Sequence, residues 1–543
     1  MMYNTLDKMK RGSVQMIKTK VKLPYNYTRE SLSEALTSEL PIESSEIKSL
    51  RIIKRTINLS DKNNIHYDAV LGAELSPERE AGLLKMKKKV APAENLTLNI
   101  PLVKMDTRPV VIGAGPAGLF AALLLSEAGV RPIVYERGLS VEEREKKVSL
   151  FHTLGVLDPE CNVQYGEGGA GTYSDGKLKL GSLDKYNYKV LSEFVEAGAP
   201  EEILFAGGAH LGTDKLPEIV RKIREKIISL GGEIHFSARL TDIRVRDGKI
   251  VGGRVTENGV SFDFETDNII LATGHSAHDV FEMLKGSGAL LEPRGFGIGV
   301  RIEHLREYID EIVYGKNPPS DIGSASYHLV THLKSGRSVY SFCMCPGGVV
   351  VPAASEEGGI VTNGMSEYAR RADNSNAAFL VSVTPSDFGS DDALSGLALQ
   401  RNIERKAFKI AGANYKAPAT TMNAFMNREK AADFPSVKPS YALGVESIAP
   451  EEYLPEFITE SIREAIPDFD DWMNGFYYPD AVLTGPETRT TSPVRVTRNE
   501  NFESVTISGL YPAGEGAGYS GGIVSSARDG LIVAEKMLEK YQK

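Results

Sequence analysis

"PVVIGAGPAGLFAALLLSEAGVRPIVYER", Pro109 to Arg137, decides how the chain is read. It opens on a short, continuously apolar run, as expected of a strand covered on both faces. Gly113, Gly115 and Gly118 follow, with Pro116 where a first helical turn accepts proline. A helical stretch and a second apolar strand, ending at Glu136, complete the unit. In this setting Gly113 permits a tight turn, Gly115 lets backbone approach a pyrophosphate, and Gly118 lets helix and sheet pack closely. The helix start at Pro116 and Ala117 turns free N–H groups and the dipole toward phosphate. Glu136 stands where a carboxylate accepts hydrogen bonds from ribose hydroxyls, and it would repel a 2′-phosphate. The expected adenosine is therefore that of FAD or NAD rather than NADP; Arg137 beside it either weakens that exclusion or packs over the adenine.

A second GxGxxG spacing occurs in "AGEGAGYSGGIVSSARDG", Ala513 to Gly530. A second dinucleotide unit would need a following strand with an acidic tip. Instead Ile523, Val524, Ala527, Leu531, Ala534 and Leu538 recur at helical spacing. Both glycine segments are expected to close on one cofactor.

The chain has 543 residues, more than one ordinary core holds, so two or three domains are expected. Its three cysteines, Cys161, Cys343 and Cys345, make no disulfide framework and fit a reducing, cytoplasmic setting. No apolar run reaches the length of a membrane span, and the first residues lack the apolar core of a signal peptide. The net charge of −9 hides a first hundred residues that are net positive. That leaves nucleic acid as a conceivable partner of the first module, though a solvated surface explains the excess more simply.

Residues 1–100 read as βαββαβ, the order of a ferredoxin-like α+β module, with a last strand at Asn95–Ile100. Ser31 and Glu34 stand at capping-box spacing, and Ser76–Pro77 reads as a helix start. From 106 to 294 the pattern is that of a dinucleotide-binding domain. After a helix closed by Gly231, "DG" (Asp247–Gly248) and "NG" (Asn258–Gly259) mark a meander, and "NIILATG" returns to the main sheet. Residues 295–479 read as an inserted mixed α+β substrate domain, and 480–543 as the end of the dinucleotide-binding domain. The fold class expected is α/β, a discontinuous Rossmann-like domain with that insert and the N-terminal module.

"GAGPAG" with Glu136, the "IILATG" strand end and "YPAGEGAG" resemble the glutathione-reductase-like FAD proteins. "GEGGAGTYSDGKL" (Gly166–Leu178), "CMCPGG" (Cys343–Gly348), "ETRTTSPVRV" (Glu487–Val496) and "AGEGAGYSGGI" are more closely similar to an uncharacterised FAD-dependent dehydrogenase family related to NAD-utilising dehydrogenases. That resemblance implies one FAD lying extended across the sheet. Its ADP half would meet Gly113, Gly115, Pro116, Ala117, Gly118, Glu136, Arg137 and backbone at Leu240. Its centre would pass Ala272 and Gly274. The ribityl and flavin half would lie against Gly168, Gly169, Ser174, Lys177, Gly514, Glu515, Gly521, Gly522 and Ile523. The family pattern has Asp after the first glycine of the late segment; here Glu515 replaces it.

Four residues are candidates for chemistry. Lys177 would stabilise reduced flavin or sit in a surface loop. Cys343 and Cys345 would relay electrons or form an adduct, or simply pack on a strand. Arg489 would grip an anionic substrate or the pyrophosphate, or face solvent. His275 and His278 lack a third ligand, so no metal site is expected. The function expected is a FAD-dependent oxidoreductase passing hydride or electrons between a donor such as NAD(P)H and a small organic substrate. The alternatives are an RNA-associated flavoprotein that modifies tRNA and a flavin-holding interaction protein without turnover.

Overall fold

The computed structural model describes residues 16–86, 89–179 and 183–542. The chain divides into two compact units. One comprises the chain up to Asn99 together with Leu178–His210; the other comprises Ile100–Lys177 and Leu211–Lys543. The segment 178–210, read as part of the dinucleotide-binding domain, thus belongs with the first unit. Its helix Lys185–Glu196 is capped by Asp184, whose carboxylate accepts from the Tyr186 and Asn187 amides.

The first unit is built on strands Ile17–Pro24, Ser49–Asn58, His66–Glu74 and Ala91–Pro92, with helices Arg29–Glu39 and Pro77–Leu83. All three pairings are antiparallel, with the first strand between the third and the fourth. Two local readings are corrected. Asn95–Ile100 forms no strand, because alternation alone does not supply a pairing partner; Ala91–Pro92 fills the edge position instead. The first helix is capped by Thr28, with Ser31 at the third helical position rather than at the cap. Ser76 does cap the second helix, accepting from the Arg79 amide.

The second unit holds a five-stranded parallel sheet. In spatial order its strands are Leu510–Pro512, Ile269–Leu271, Val110–Ile112, Ile133–Tyr135 and Glu233–His235. The helix Pro116–Glu127 is buried along almost all its length, between this sheet and the last helix, Ile523–Glu539. A Cβ on Gly530 would lie 2.0 Å from the Ala117 carbonyl oxygen, so the two helices touch through bare backbone. The meander of Ala238–Arg246, Lys249–Glu257 and Val260–Phe264 turns at the DG and NG pairs, all four residues having positive φ.

The middle of the chain forms a seven-stranded mixed sheet. Its order is Val330–His332, Ser338–Cys345, Asn374–Val383, Phe296–Leu305, Val482–Glu487, Ala417–Thr421 and Val445–Ser447. The strand Val482–Glu487 pairs with Phe296–Leu305, so the inserted domain runs past residue 479 before the chain returns to the parallel sheet. Val349–Pro352 pairs only with Thr362–Met365, as a separate ribbon rather than part of the mixed sheet. A helix of the same domain spans Ser395–Ile410.

Candidate functional site

The glycine turn after Val110–Ile112 is closed by contacts that side chains would block. A Cβ on Gly118 would sit 1.9 Å from the Gly113 carbonyl oxygen, and one on Gly113 2.4 Å from that of Ala272. Gly115 has ordinary φ but faces Gly169, whose Cβ would come within 3.2 Å of the Gly115 Cα. Two bare backbones therefore form the walls of a cradle at the start of the helix Pro116–Glu127. No side chain caps that start and no acidic residue stands in its first turn, so its N–H groups remain available to an anion. The Gly168 amide ties the second wall to the first by donating to Ala114 O at 2.8 Å.

The second wall rests on Arg144, a residue the sequence reading passed over. Its fully buried guanidinium donates to the carbonyls of Asn162, Val163, Gly166, Glu167 and Gly169 at 2.7–3.2 Å. One rigid fork thus fixes the loop before the cradle. Glu136 is likewise engaged: its carboxylate accepts from the amides of Ala114 (2.7 Å), Gly138 (2.9 Å) and Gly166 (2.9 Å). A carboxylate offers about four acceptor sites, so roughly one remains for a ribose hydroxyl. Arg137 stands next to Glu136 in the chain. It pairs with Glu160 (2.9 Å) and Asp279 (3.0 Å) and lies 4.2 Å from the Tyr165 ring centre. Leu240 points its side chain into the core, two residues beyond Ala238, whose amide donates to Glu136 O.

The late glycine segment closes on the same place. The Ala513 amide donates to Leu271 O, and the Gly514 amide to Asp529 on the last helix at 2.7 Å. Arg498 clamps Asp529 from the other side with contacts of 2.6 and 2.9 Å. A Cβ on Gly514 would be 2.7 Å from Ala117 Cβ, and one on Gly516 2.3 Å from Gly274 O. Gly522 starts the last helix without a side-chain cap, and Ile523 packs against Gly171. Beside Gly274 and Gly521 nothing lies within 4 Å of a would-be Cβ. Ser174 spends its hydroxyl locally, donating to Gly171 O (2.8 Å) and accepting from the Gly176 amide (3.0 Å).

The Glu515 carboxyl has no hydrogen-bond partner among the described residues, while its backbone carbonyl accepts from the Gly518 amide. Burial pushes its carboxyl up to about 8, opposed by Arg294, and it feels Cys343 from the middle sheet. Cys343 stands at a register slip in Ser338–Cys345, at φ 42. Arg301, fully buried and paired with Glu487 at 3.0 Å, donates to Cys343 O at 2.9 Å. Lys177 donates to Met344 O and to the Ser326 hydroxyl, and burial lowers its pKa. The hydrogen bond from Cys345, reinforced by Arg301 and Lys177, draws the Cys343 thiol down, while the same bond and burial push Cys345 up. Asp175 is held by Arg370 and Ser366. Lys177, Cys343, Cys345 and Glu515 therefore share one electrostatic environment.

Arg489 does not join them. Its guanidinium makes a bidentate pair with Glu404 (2.6 and 2.8 Å), both buried, and a third contact with His278 at 2.9 Å. His278 also meets Glu356 at 2.8 Å. The arginine is committed to holding the inserted domain's helix Ser395–Ile410, with no fork left for a substrate anion.

FAD suits this arrangement. The uncapped helix start at Gly115 and the Gly115–Gly169 cradle would take a pyrophosphate, and Glu136 keeps acceptor capacity that a ribose would use. Glu515 presents an unpaired carboxyl to a polyol. Residues 106–153 match the family described as FAD binding domain, and residues 295–490 the family described as FAD-dependent protein, C-terminal domain-like. The protein is thus an enzyme of the FAD-dependent oxidoreductase class, with FAD as its cofactor. A Clostridium beijerinckii protein described as uncharacterized is 44% identical over 517 residues, spanning 94% of this chain and 96% of its own length. The chain belongs to that protein's family of FAD-dependent proteins. Aklavinone 12-hydroxylase RdmE of Streptomyces purpurascens is 31% identical over 179 residues, 31% of this chain and 32% of its own. A solved geranylgeranyl bacteriochlorophyll reductase-like protein from Thermoplasma acidophilum aligns over 80% of this chain and 82% of its own, at 11% identity and a TM-score of 0.34. Among the described residues no helix is long and apolar enough to cross a membrane.

Proposed function

We propose that this oxidoreductase is a dehydrogenase or reductase whose substrate site lies where the loop 513–522 meets the Cys343 bulge. The supporting observation is the desolvated cluster of Glu515, Cys343, Cys345 and Lys177, contributed by the late glycine loop, the mixed sheet and the cradle segment. FAD supplies hydride and single-electron transfer when bound. The chain's own residues then divide the work. Gly113, Gly115, Pro116, Ala117, Gly118, Gly168 and Gly169 hold the pyrophosphate. Glu136 orients a ribose, and Gly514, Glu515, Gly521, Gly522 and Ile523 meet the ribityl and flavin half. Lys177, half-buried and held by Met344 O and the Ser326 hydroxyl, presents its amine to negative charge that develops beside it. A nicotinamide donor, NADH or NADPH, binds transiently, since among the described residues the parallel sheet carries one such glycine turn, after Val110–Ile112.

Anaerobic mixing with NADH and with NADPH, followed by a screen of organic acceptors, tests this reading. Bleaching of the flavin absorbance by one nucleotide and recovery with an organic acceptor is the expected result. Bleaching by neither sinks it. A hydroxylase reading, favoured by the partial likeness to RdmE, predicts instead oxygen consumption matched to oxygen incorporated in a product.

A further inference from the structure

We infer that Cys343 and Cys345 form a reversible redox disulfide, which makes a low-molecular-weight disulfide or thiol the class of substrate exchanged at this site. The inference rests on the site proposed above and assigns its chemistry.

Successive side chains of a strand alternate, so residues two apart share a face but stand about 6.6–6.8 Å apart at Cα. That is the outer limit for a disulfide, whose usual Cα separation is about 5.5–6 Å. The strand Ser338–Cys345 departs from regularity where this separation has to shrink. Its pairing with Asn374–Val383 slips between Phe342 and Cys345, and Cys343 takes a left-handed φ of 42°. A left-handed conformation at a non-glycine residue persists only where its surroundings enforce it. Here they do. Arg301 donates to Cys343 O, Lys177 donates to Met344 O, and Cys345 Sγ reaches Cys343 O at 3.3 Å.

The two thiols are also unequal. Cys343 is partly exposed and faces two cations; Cys345 is fully buried. An attacking thiolate needs access and stabilised charge, whereas a resolving thiol needs only proximity. In the reduced pair, Cys343 thiolate attacks one sulfur of a disulfide R–S–S–R. A Cys343–S–R bond forms, the R–S bond partner leaves as RS⁻, and that thiolate takes a proton from water. Cys345 then attacks the Cys343 sulfur, giving up its proton as the second RS⁻ leaves and is protonated. The substrate is reduced by two electrons and the Cys343–Cys345 bond holds the oxidation. A dithiol restores the thiols with two electrons and two protons; the hydride donor of the proposed reaction does so with one hydride, the second proton coming from water.

Anaerobic reductive titration of the flavin-loaded protein tests this, with Cys345→Ser beside wild type. Wild type is expected to take up twice the electrons per bound flavin that Cys345→Ser takes, the excess belonging to the disulfide. Alkylation and mass spectrometry before and after titration should show a Cys343–Cys345 link that disappears, while Cys161 stays a thiol throughout. Equal uptake by the two proteins, with flavin present and no such link after equilibration with oxidised dithiothreitol, overturns the inference and leaves the flavin site standing. A protein without flavin that still forms the link refutes the flavin-site reading instead. Cys345→Ala gives a second variant should the serine hydroxyl disturb the fold.

Discussion

Replacing Arg489 by methionine separates a structural arginine from a substrate-binding one. The guanidinium and the Glu404 carboxylate are both buried and bound through two contacts of 2.6 and 2.8 Å, with Thr488 donating to the same carboxylate at 2.6 Å. Removing the cation leaves Glu404 buried without its partner, a loss of about 3–5 kcal/mol. At about 2 cal/mol/K per residue, a unit of this size shifts its melting temperature by about 1 °C per kcal/mol, so the midpoint should fall by about 3–6 °C. Thermal unfolding followed by circular dichroism measures this directly, with flavin content recorded in parallel. The double variant Arg489→Met/Glu404→Leu should recover most of the loss, because an apolar pair of similar volume needs no charge compensation. An unchanged midpoint in Arg489→Met, with a raised KM for the acceptor, would refute the structural assignment and restore the substrate role.

The acidity of Glu515 gives a pH signature. Its folded carboxyl binds a proton more tightly than the unfolded one, so the apoprotein's stability is fully present below the ordinary carboxyl range and lost as pH rises through about 8. Subtracting the melting profile of Glu515→Gln from that of wild type isolates this contribution; a difference that stays flat from pH 5 to pH 9 contradicts it. Glu136→Gln loses charge-assisted bonds from Ala114, Gly138 and Gly166. At about 1.5–3 kcal/mol for the charged acceptor, FAD affinity should weaken roughly tenfold to a hundredfold by equilibrium titration. Gly118→Val should yield no folded protein, since its first carbon already meets the Gly113 carbonyl at 1.9 Å.

What the sequence disclosed follows from how far apart the cooperating residues lie. The turn at Gly113, Gly115 and Gly118 is local, and its glycine spacing is dictated by contacts within one strand–turn–helix unit. The two DG and NG turns are local as well, and both appear at the expected residues. The helix after Gly522 was legible because its periodicity is strong. By contrast, Arg489 finds Glu404 85 positions away, and nothing in "ETRTTSPVRV" distinguishes a paired arginine from a free one. Arg144 lies in the charged helix Val141–Leu154, where nothing local sets it apart, yet it is fully buried by the carbonyls of a loop about twenty residues on. Asn95–Ile100 alternates as a strand does, but pairing needs a free sheet edge, which Ala91–Pro92 takes. The strand Val482–Glu487 looks like the start of the returning domain until its antiparallel partner, Phe296–Leu305, is known.

The central claim is that both glycine segments hold one FAD, and two variants test it without disturbing the fold. A side chain at Gly115 would meet only Gly169 Cα at 3.7 Å, and one at Gly521 would meet nothing within 4 Å. Gly115→Val and Gly521→Val should therefore fold as wild type does while obstructing opposite halves of the cofactor. Flavin released on denaturation, measured by its visible absorbance against protein concentration, should give one FAD per wild-type chain and little in either variant. A full flavin load in Gly521→Val, with Gly115→Val empty, would contradict the claim that the two segments close on the same cofactor.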